Sequence, residues 1–444
     1  MNNLRMPIFK ILSAVLLAMA ACVFLLTATA CIPRSVIQKQ SEASAEYFVG
    51  RDGFPVLFGN GVNAIQDNYS DTVLCNIIYC IDPAHPFTSA VRAGYVGTGS
   101  AGEGYLAAVR GEQEVDTEYG RYWHGTMVLL RPLLTVMPIQ WIRVLFGTAG
   151  TLIQLMLIAA LWRNDRRAAA VCYGAAFLLV HPWMFFVSLE YGTAFLTASA
   201  AELFFWLRLK DRPDESLMPF FAVVGVVTFF ADFLTTETMT FTLPMFLLIL
   251  WRSGHGLQKG GSVRENCVSV VKNGSCWLFG YAAMFLLKLL FLLMVAGGRV
   301  AASSLEEGMF RIGGVVREAN FSTAAEVGAA ERLSGAIWHN LACLFPTQTG
   351  KMEAAGAWIP SLLILGIGLA AVYLLHDRID WERFAPLWLL ALIPYLRFLA
   401  LSNHAYIHFF ITYRAQMVSL AVFLLFVYEN GVIQLITKRG GKKR

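Results

Sequence analysis

The sequence predicts an all-α polytopic membrane protein of about ten transmembrane helices, with a large first extracytoplasmic loop. Three observations carry this. Of 444 residues, 57% are hydrophobic and only 15% charged, against roughly 25% charged in soluble domains. Apolar runs of about 18 residues, the length that carries a helix across a bilayer, recur along the chain. The short connections between them are basic on every second turn, as the positive-inside rule demands. The net charge of +5 therefore matters through its placement.

The first run covers about 8–30, behind Arg5 and Lys10. It is longer than a secretory signal's apolar region and reads as an uncleaved anchor. Ala28-Thr29-Ala30-Cys31 resembles a lipoprotein cleavage site but lacks the expected Leu. A polar region, 31–125, follows as an extracytoplasmic loop. The stretch 126–134 is short and interrupted by Arg131-Pro132, so it is expected along the interface or dipping into the bilayer. Full spans are expected at about 138–161, 168–188, 191–207, 217–235, 238–251 and 274–297. With 126–134 they make a bundle over 126–297. A second outer loop, 298–356, holds an amphipathic, partly helical stretch with Glu307, Arg311, Arg317, Glu318, Glu326, Glu331 and Arg332. The last spans are about 357–375, 384–401 and 415–437, ahead of a basic tail within 357–444.

An inner N-terminus makes every predicted inner segment basic: Arg163, Arg166 and Arg167; Arg208, Lys210 and Arg212; Arg252, Lys259, Arg264 and Lys272; Arg378 and Arg383; then Lys438 to Arg444. Shifting the count by one span puts several of these clusters outside. Both termini are thus expected to be cytoplasmic. The eight cysteines form no CxxC pair, so nothing points to a zinc ribbon or thioredoxin-type site. Cys75 and Cys80 share the first loop, either as a disulfide or as two buried thiols.

Ionisable residues inside spans are costly and normally face a cavity or a partner. Here Arg143, His181, Glu190, Asp232, Glu237, Lys288 and Arg397 all fall toward the outer ends of their helices, and only Glu202 breaks the trend. Snorkelling explains single Arg and Lys residues at helix ends, but not a set that includes acids and histidine.

Three constellations stand out. Asp67-Asn68-Tyr69-Ser70-Asp71 opens a helix-patterned stretch. Its two carboxylates, four apart, can share a helical face and serve as general base or cation ligands; a capped helix start is the plainer account. Glu118-Tyr119-Gly120-Arg121-Tyr122-Trp123-His124-Gly125 precedes the membrane. An interfacial belt explains its Tyr and Trp but not the Arg, His and Glu among them. Ser402 to Arg414 places His404 and His408 one helical turn apart, with Asn403 before them and Arg414 after. The pair suits a metal or, with Arg414, phosphate oxygens.

This ordering resembles the GT-C superfamily of membrane glycosyltransferases: an inner N-terminus, a first span, an outer loop with an early acidic motif, then the aromatic-basic segment Tyr119 to His124 before the next span. Asp232-Phe233-Leu234-Thr235-Thr236 and the Asn403 to Arg414 segment look like elements of bacterial GT-C-like membrane proteins. The carboxylates are spaced DxxxD here, not the DxD or ExD common in that superfamily, which leaves the catalytic acid and any metal open. The resemblance implies sugar transfer from a polyprenyl-phosphate donor to a glycan, lipid or protein acceptor at the extracytoplasmic face, with inversion. On that reading Asp71 or Asp67 is the catalytic base. Arg121, Tyr122, His124, Asp232, Asn403, His404, His408 and Arg414 bind substrate. No cofactor is required by any motif, and a divalent cation stays open.

A transporter or flippase for a lipid-linked or anionic substrate is the rival reading, although transporter sites normally lie near the midplane at broken helices. A non-catalytic envelope protein is a third. The basic clusters are short and follow the topology, which argues against nucleic acid, and no P-loop or GxGxxG stands in the right context.

Overall fold

The structure, a computed structural model, describes residues 2–57, 61–253, 262–313, 327–345, 359–376 and 379–432. The expected positions Lys259, Arg317, Glu318, Glu326 and Arg378 and the tail 438–444 lie outside the described residues.

Helix α1 (Asn2–Ala30) is an unbroken apolar rod. Pro33 then caps the start of α2 (Arg34–Phe48). The first loop folds into short helices: α3 (Asn68–Cys80), α4 (Pro86–Arg92) and α5 (Ala101–Arg110). Ser100 and Glu103 form a reciprocal capping box at the start of α5, and Gly111 ends it with φ +70°, a left-handed stop that glycine takes without a Cβ penalty. A two-stranded antiparallel pair, β1 (Gly94–Tyr95) and β2 (Thr117–Glu118), joins the two sides of this loop with Gly94 opposite Glu118. The short stretch before the bundle is α6 (Met127–Leu133). Its Arg131 is fully buried and donates to the carbonyls of Ile32 and Ile78, so it stitches the end of α1 to α3.

The bundle continues with α7 (Ile139–Arg163), α8 (Arg167–Leu179), α9 (Leu189–Phe204), α10 (Asp214–Ala231), α11 (Met239–Arg252) and α12 (Val263–Ala296). Helices α13 (Gly298–Ile312) and α14 (Ala329–Ala342) come from the second loop. Then come α15 (Ile359–Leu375), α16 (Trp381–Ala400), the short α17 (Ser402–Ile407) and α18 (Phe409–Thr412), and α19 (Met417–Val427). Among the described residues six helices are long and apolar enough to cross a membrane: those covering Ile8–Ala30, Ile139–Arg163, Asp214–Ala231, Val263–Ala296, Trp381–Ala400 and Phe409–Gly431. Helices α8, α11 and α15 are apolar but shorter. The chain is thus an all-α, multi-pass membrane protein by its apolar helices.

Two predicted spans end earlier than their apolar runs. The stretch 168–188 breaks after Leu179: His181 sits at φ +57° and Pro182 opens a separate 3-10 turn, Pro182–Phe186. A residue before proline is driven out of the helical region, and the apolar count could not register that. The stretch 217–235 stops at Ala231, where Asp232 is extended. Cys75 and Cys80 are both free thiols; five apart on α3, they point to different sides of it.

Among the described residues two large apolar cores form. One gathers α1, α2, α3, α5, α10 and α12, the other α8, α9, α11, α16 and α19. Helices α10 and α12 touch backbone to backbone, because a Cβ on Gly225 would overlap the Trp277 carbonyl and one on Gly280 the Ala222 carbonyl. Small residues let helices approach this closely. The two ends of the bundle differ. Arg163, Arg167, Arg208, Arg252, Arg264 and Arg383 mark one end, where Arg252 pairs with Asp214 and Arg383 with Glu429. The polar loops cover the other.

Candidate functional site

At the loop-bearing end the DNYSD segment docks on the start of α9. Asp67 is the N-cap of α3 and accepts from the Ser70 backbone N–H and hydroxyl, both at 2.8 Å. Asp71 is buried one turn later. It takes the Arg143 guanidinium on Oδ2 at 2.7 and 2.6 Å and the backbone N–H groups of Leu189 and Glu190 at 2.9 and 3.1 Å. It thereby caps α9 and ties α7 to it. The register is fixed by further bonds: Gln66 Nε2 donates to the Val187 carbonyl at 2.7 Å, and the Tyr191 hydroxyl to that of Ile65 at 2.6 Å.

This clamp carries Glu190 to a point where its carboxylate is within electrostatic reach of Asp67, Asp232, Asp71 and Arg311. Asp232, at the end of α10, accepts from the Thr235 N–H at 2.9 Å and from its hydroxyl. Glu190 is thus in electrostatic reach of two further buried carboxylates, Asp67 and Asp232. Burial, reinforced by the Asp71 charge, pushes Asp67 up to about 7 against the hydrogen bonds from Ser70.

A cationic cluster lies nearby, its Arg311 within electrostatic reach of Glu190. Glu307 on α13 lies 3.9 Å from Arg121 and 3.4 Å from Arg311, so two guanidiniums share one carboxylate. The Nε atoms of Arg121 and Arg311 are buried without a hydrogen-bond partner among the described residues. A crevice of about 10 Å³, lined by Glu307, Phe310, Arg311, His404, Ile407 and His408, opens here, roughly one water's worth of space. The rings of His404 and His408 are 4.7 Å apart. Burial, with Arg311, Arg397 and Arg121 nearby, pulls His408 down to about 3, and burial also holds His404 well below its usual value. Both are neutral imidazoles. Arg397 Nη2 reaches His404 Nδ1 at 3.2 Å. A guanidinium can only donate, so Nδ1 accepts and Nε2 carries the hydrogen. Arg397 is held by Glu237 at 2.7 Å.

Aromatic side chains floor the site. Arg121 stacks 3.9 Å above the Tyr119 ring, and Phe233 meets Tyr122 and His124 at 5.5 and 5.1 Å. His124 Nε2 bonds the Tyr119 carbonyl at 3.0 Å, and burial pulls it down to about 3. Its φ is +51°, and Leu234, whose carbonyl Arg397 holds, has φ +66°. Left-handed backbone at non-glycine residues costs energy and clusters at functional sites.

Of the residues singled out from the sequence, the fold brings Asp67, Asp71, Asp232, Arg121, Tyr122, His124, His404 and His408 to this one region. Asn403 instead donates to the Phe310 carbonyl at 2.8 Å and anchors α17 beneath α13. Arg414 occupies a neighbouring flank, fully buried, 4.1 Å above the Tyr191 ring, with Nε and Nη2 lacking hydrogen-bond partners among the described residues. Tyr191 itself lies within reach of both Asp67 and Arg414. Glu190, Glu307 and Arg311 were not among the expected site residues. Their only sequence signals were an acid at the outer end of a span and charges on an amphipathic helix. Among the described residues no group of three or more His, Cys, Asp or Glu side chains is placed to hold a metal.

No family model, no curated protein and no solved structure matches this chain.

Proposed function

We propose that this chain is a GT-C-type glycosyltransferase of the cell envelope. It crosses the plasma membrane ten times, with both termini cytoplasmic, and moves a sugar from a polyprenyl-phosphate donor to an acceptor at the extracytoplasmic face. The observation that carries the reading is a pair of buried guanidiniums, Arg121 and Arg311, with Arg311 in electrostatic reach of a buried carboxylate cluster. Among the described residues Arg121 and Arg311 carry two charges against one ion-paired carboxylate, and both keep buried Nε donors unpartnered. That surplus suits a phosphate leaving group, whose growing charge needs fixed donors in the transition state. The carboxylates suit the acceptor hydroxyl, which must lose a proton. The aromatic floor offers faces on which a sugar ring stacks. The basic end of the bundle supports a cytoplasmic placement of that end.

Farnesyl phosphate binding to the full-length protein in nanodiscs tests this. Arg311→Gln is expected to weaken binding at least tenfold and to abolish release of farnesyl phosphate from farnesyl-phosphate-linked sugars. Unchanged release from this variant sinks the proposal. Movement of the intact lipid-linked sugar between leaflets, with no cleavage, makes the chain a flippase instead.

A further inference from the structure

We infer that Glu190 is the catalytic base of this site, the group that takes the proton from the acceptor hydroxyl; this rests on the transferase reading above. The two aspartates of the DNYSD motif are already committed. Asp71 is surrounded by the Arg143 guanidinium and two backbone N–H groups, so its lone pairs are spent on holding α7 and α9. Asp67 is committed to Ser70 as a helix cap, and Asp232 to Thr235. The Glu190 carboxylate has no hydrogen-bond partner shown among the described residues. It is also the most accessible of the four acids, at 9% exposed against 1% for Asp67 and Asp71 and 4% for Asp232.

Its position is built rather than incidental. Backbone bonds from Leu189 and Glu190 to Asp71, and the side-chain bonds of Gln66 and Tyr191, fix the first turn of α9 against the loop. Glu190 is within electrostatic reach of Asp67, Asp232 and Asp71 and of Arg311; burial and the three acids raise its proton affinity, as a base that must take up a proton requires, and Arg311 opposes them. Tyr119, the ring under Arg121, is within reach of both Glu190 and Arg311. The carboxylate is thus within electrostatic reach of Arg311, the guanidinium that lines the cationic crevice, as a base beside a leaving-group site requires.

The step balances without a further reactant. The acceptor O–H gives its proton to a Glu190 carboxylate oxygen. The acceptor oxygen forms a bond to the anomeric carbon, and the bond from that carbon to the phosphate oxygen breaks. The electron pair leaves with the prenyl phosphate, between Arg121 and Arg311. Asp71 and Arg143 are positioning residues, because they act only through the first turn of α9.

The test uses the full-length protein in nanodiscs, with tritiated farnesyl-phosphate-linked hexoses and pentoses as donors and farnesyl phosphate as the binding probe. Release of farnesyl phosphate counts transfer to any acceptor, water included. Glu190→Gln should lower release at saturating donor at least 100-fold while leaving farnesyl phosphate binding within twofold. Glu190→Asp should restore part of the rate and displace the acid limb of the pH profile. The charged and titratable groups facing it there are Asp67 and Asp71 from the first loop, Asp232 from α10, Arg311 from α13 and Tyr119 beside β2. Release by Glu190→Gln within threefold of the parent overturns the assignment and leaves the transferase reading standing; loss in Asp67→Asn or Asp232→Asn then names the base. If Glu190→Gln loses its melting transition, Glu190→Asp decides, and a parental rate and pH profile overturns the assignment. If the parent releases farnesyl phosphate from no donor and fails to bind it, the transferase reading falls and the assignment with it.

Discussion

Asp67 combines two roles that pull its proton affinity in opposite directions. As a helix cap it accepts two hydrogen bonds from Ser70, which favour the ionised form; burial and Asp71 favour the neutral one and win, at about 7. The native state therefore binds this proton more tightly than the unfolded chain does. Its contribution to stability is full below the unfolded value near 3.8 and is lost as pH rises through 7. Asparagine keeps the cap and carries no charge. Asp67→Asn should match the parent in thermal melts near pH 4 and exceed it above pH 7, by up to about 4 kcal/mol. At this scale the sequence was informative but incomplete. The DxxxD spacing located both aspartates, yet spacing alone could not tell a cap from an ion-pair partner. Arg143, whose outer-end position was visible, pairs with Asp71 only because α7 and α3 meet in space.

Among the helices, the sequence shows its strengths and its limits on the same elements. Apolar length located the rods of α1, α7, α10, α12 and α16. It did not register the stop at His181-Pro182, where a single left-handed residue turns the chain. Nor did it reveal that the segment 187–191 lies on 65–71, since contacts more than a hundred residues apart leave no local pattern; Glu190 was visible as an outer-end acid, but its place beside Asp67 and Asp71 was not. Gly225 and Gly280 likewise read as ordinary members of apolar runs, although each is a place where backbone meets backbone. Gly225→Leu should force α10 and α12 apart, at a cost of about 1–3 kcal/mol or more. A lowered melting temperature in detergent, with loss of the monodisperse peak, is the expected result; an unchanged melt would mean the two helices can slide without penalty.

For the whole molecule, the alternation of basic connections fits the arrangement of the helices. Arg163 and Arg167, Arg208 and Arg212, and Arg252 and Arg264 collect at the end of the bundle opposite the loops. Both cores, and the site between the loops, follow from that polarity. With the basic end in the cytoplasm, an impermeant thiol reagent applied to intact cells should label Glu112→Cys above the parent background and leave Arg212→Cys unlabelled until the cells are opened. The reverse pattern would turn the protein over and place the site in the cytoplasm.

The placement of Glu307 between Arg121 and Arg311 shapes how an anion would arrive. A phosphate entering there competes with a resident carboxylate for the two guanidiniums, so each arrival displaces that side chain and each departure is assisted by its return. Occupancy should then depend only shallowly on ionic strength, and spent prenyl phosphate should leave readily. Removing the competitor with Glu307→Gln should tighten farnesyl phosphate binding several-fold, steepen its salt dependence and slow turnover through retained product, all measurable on one nanodisc preparation.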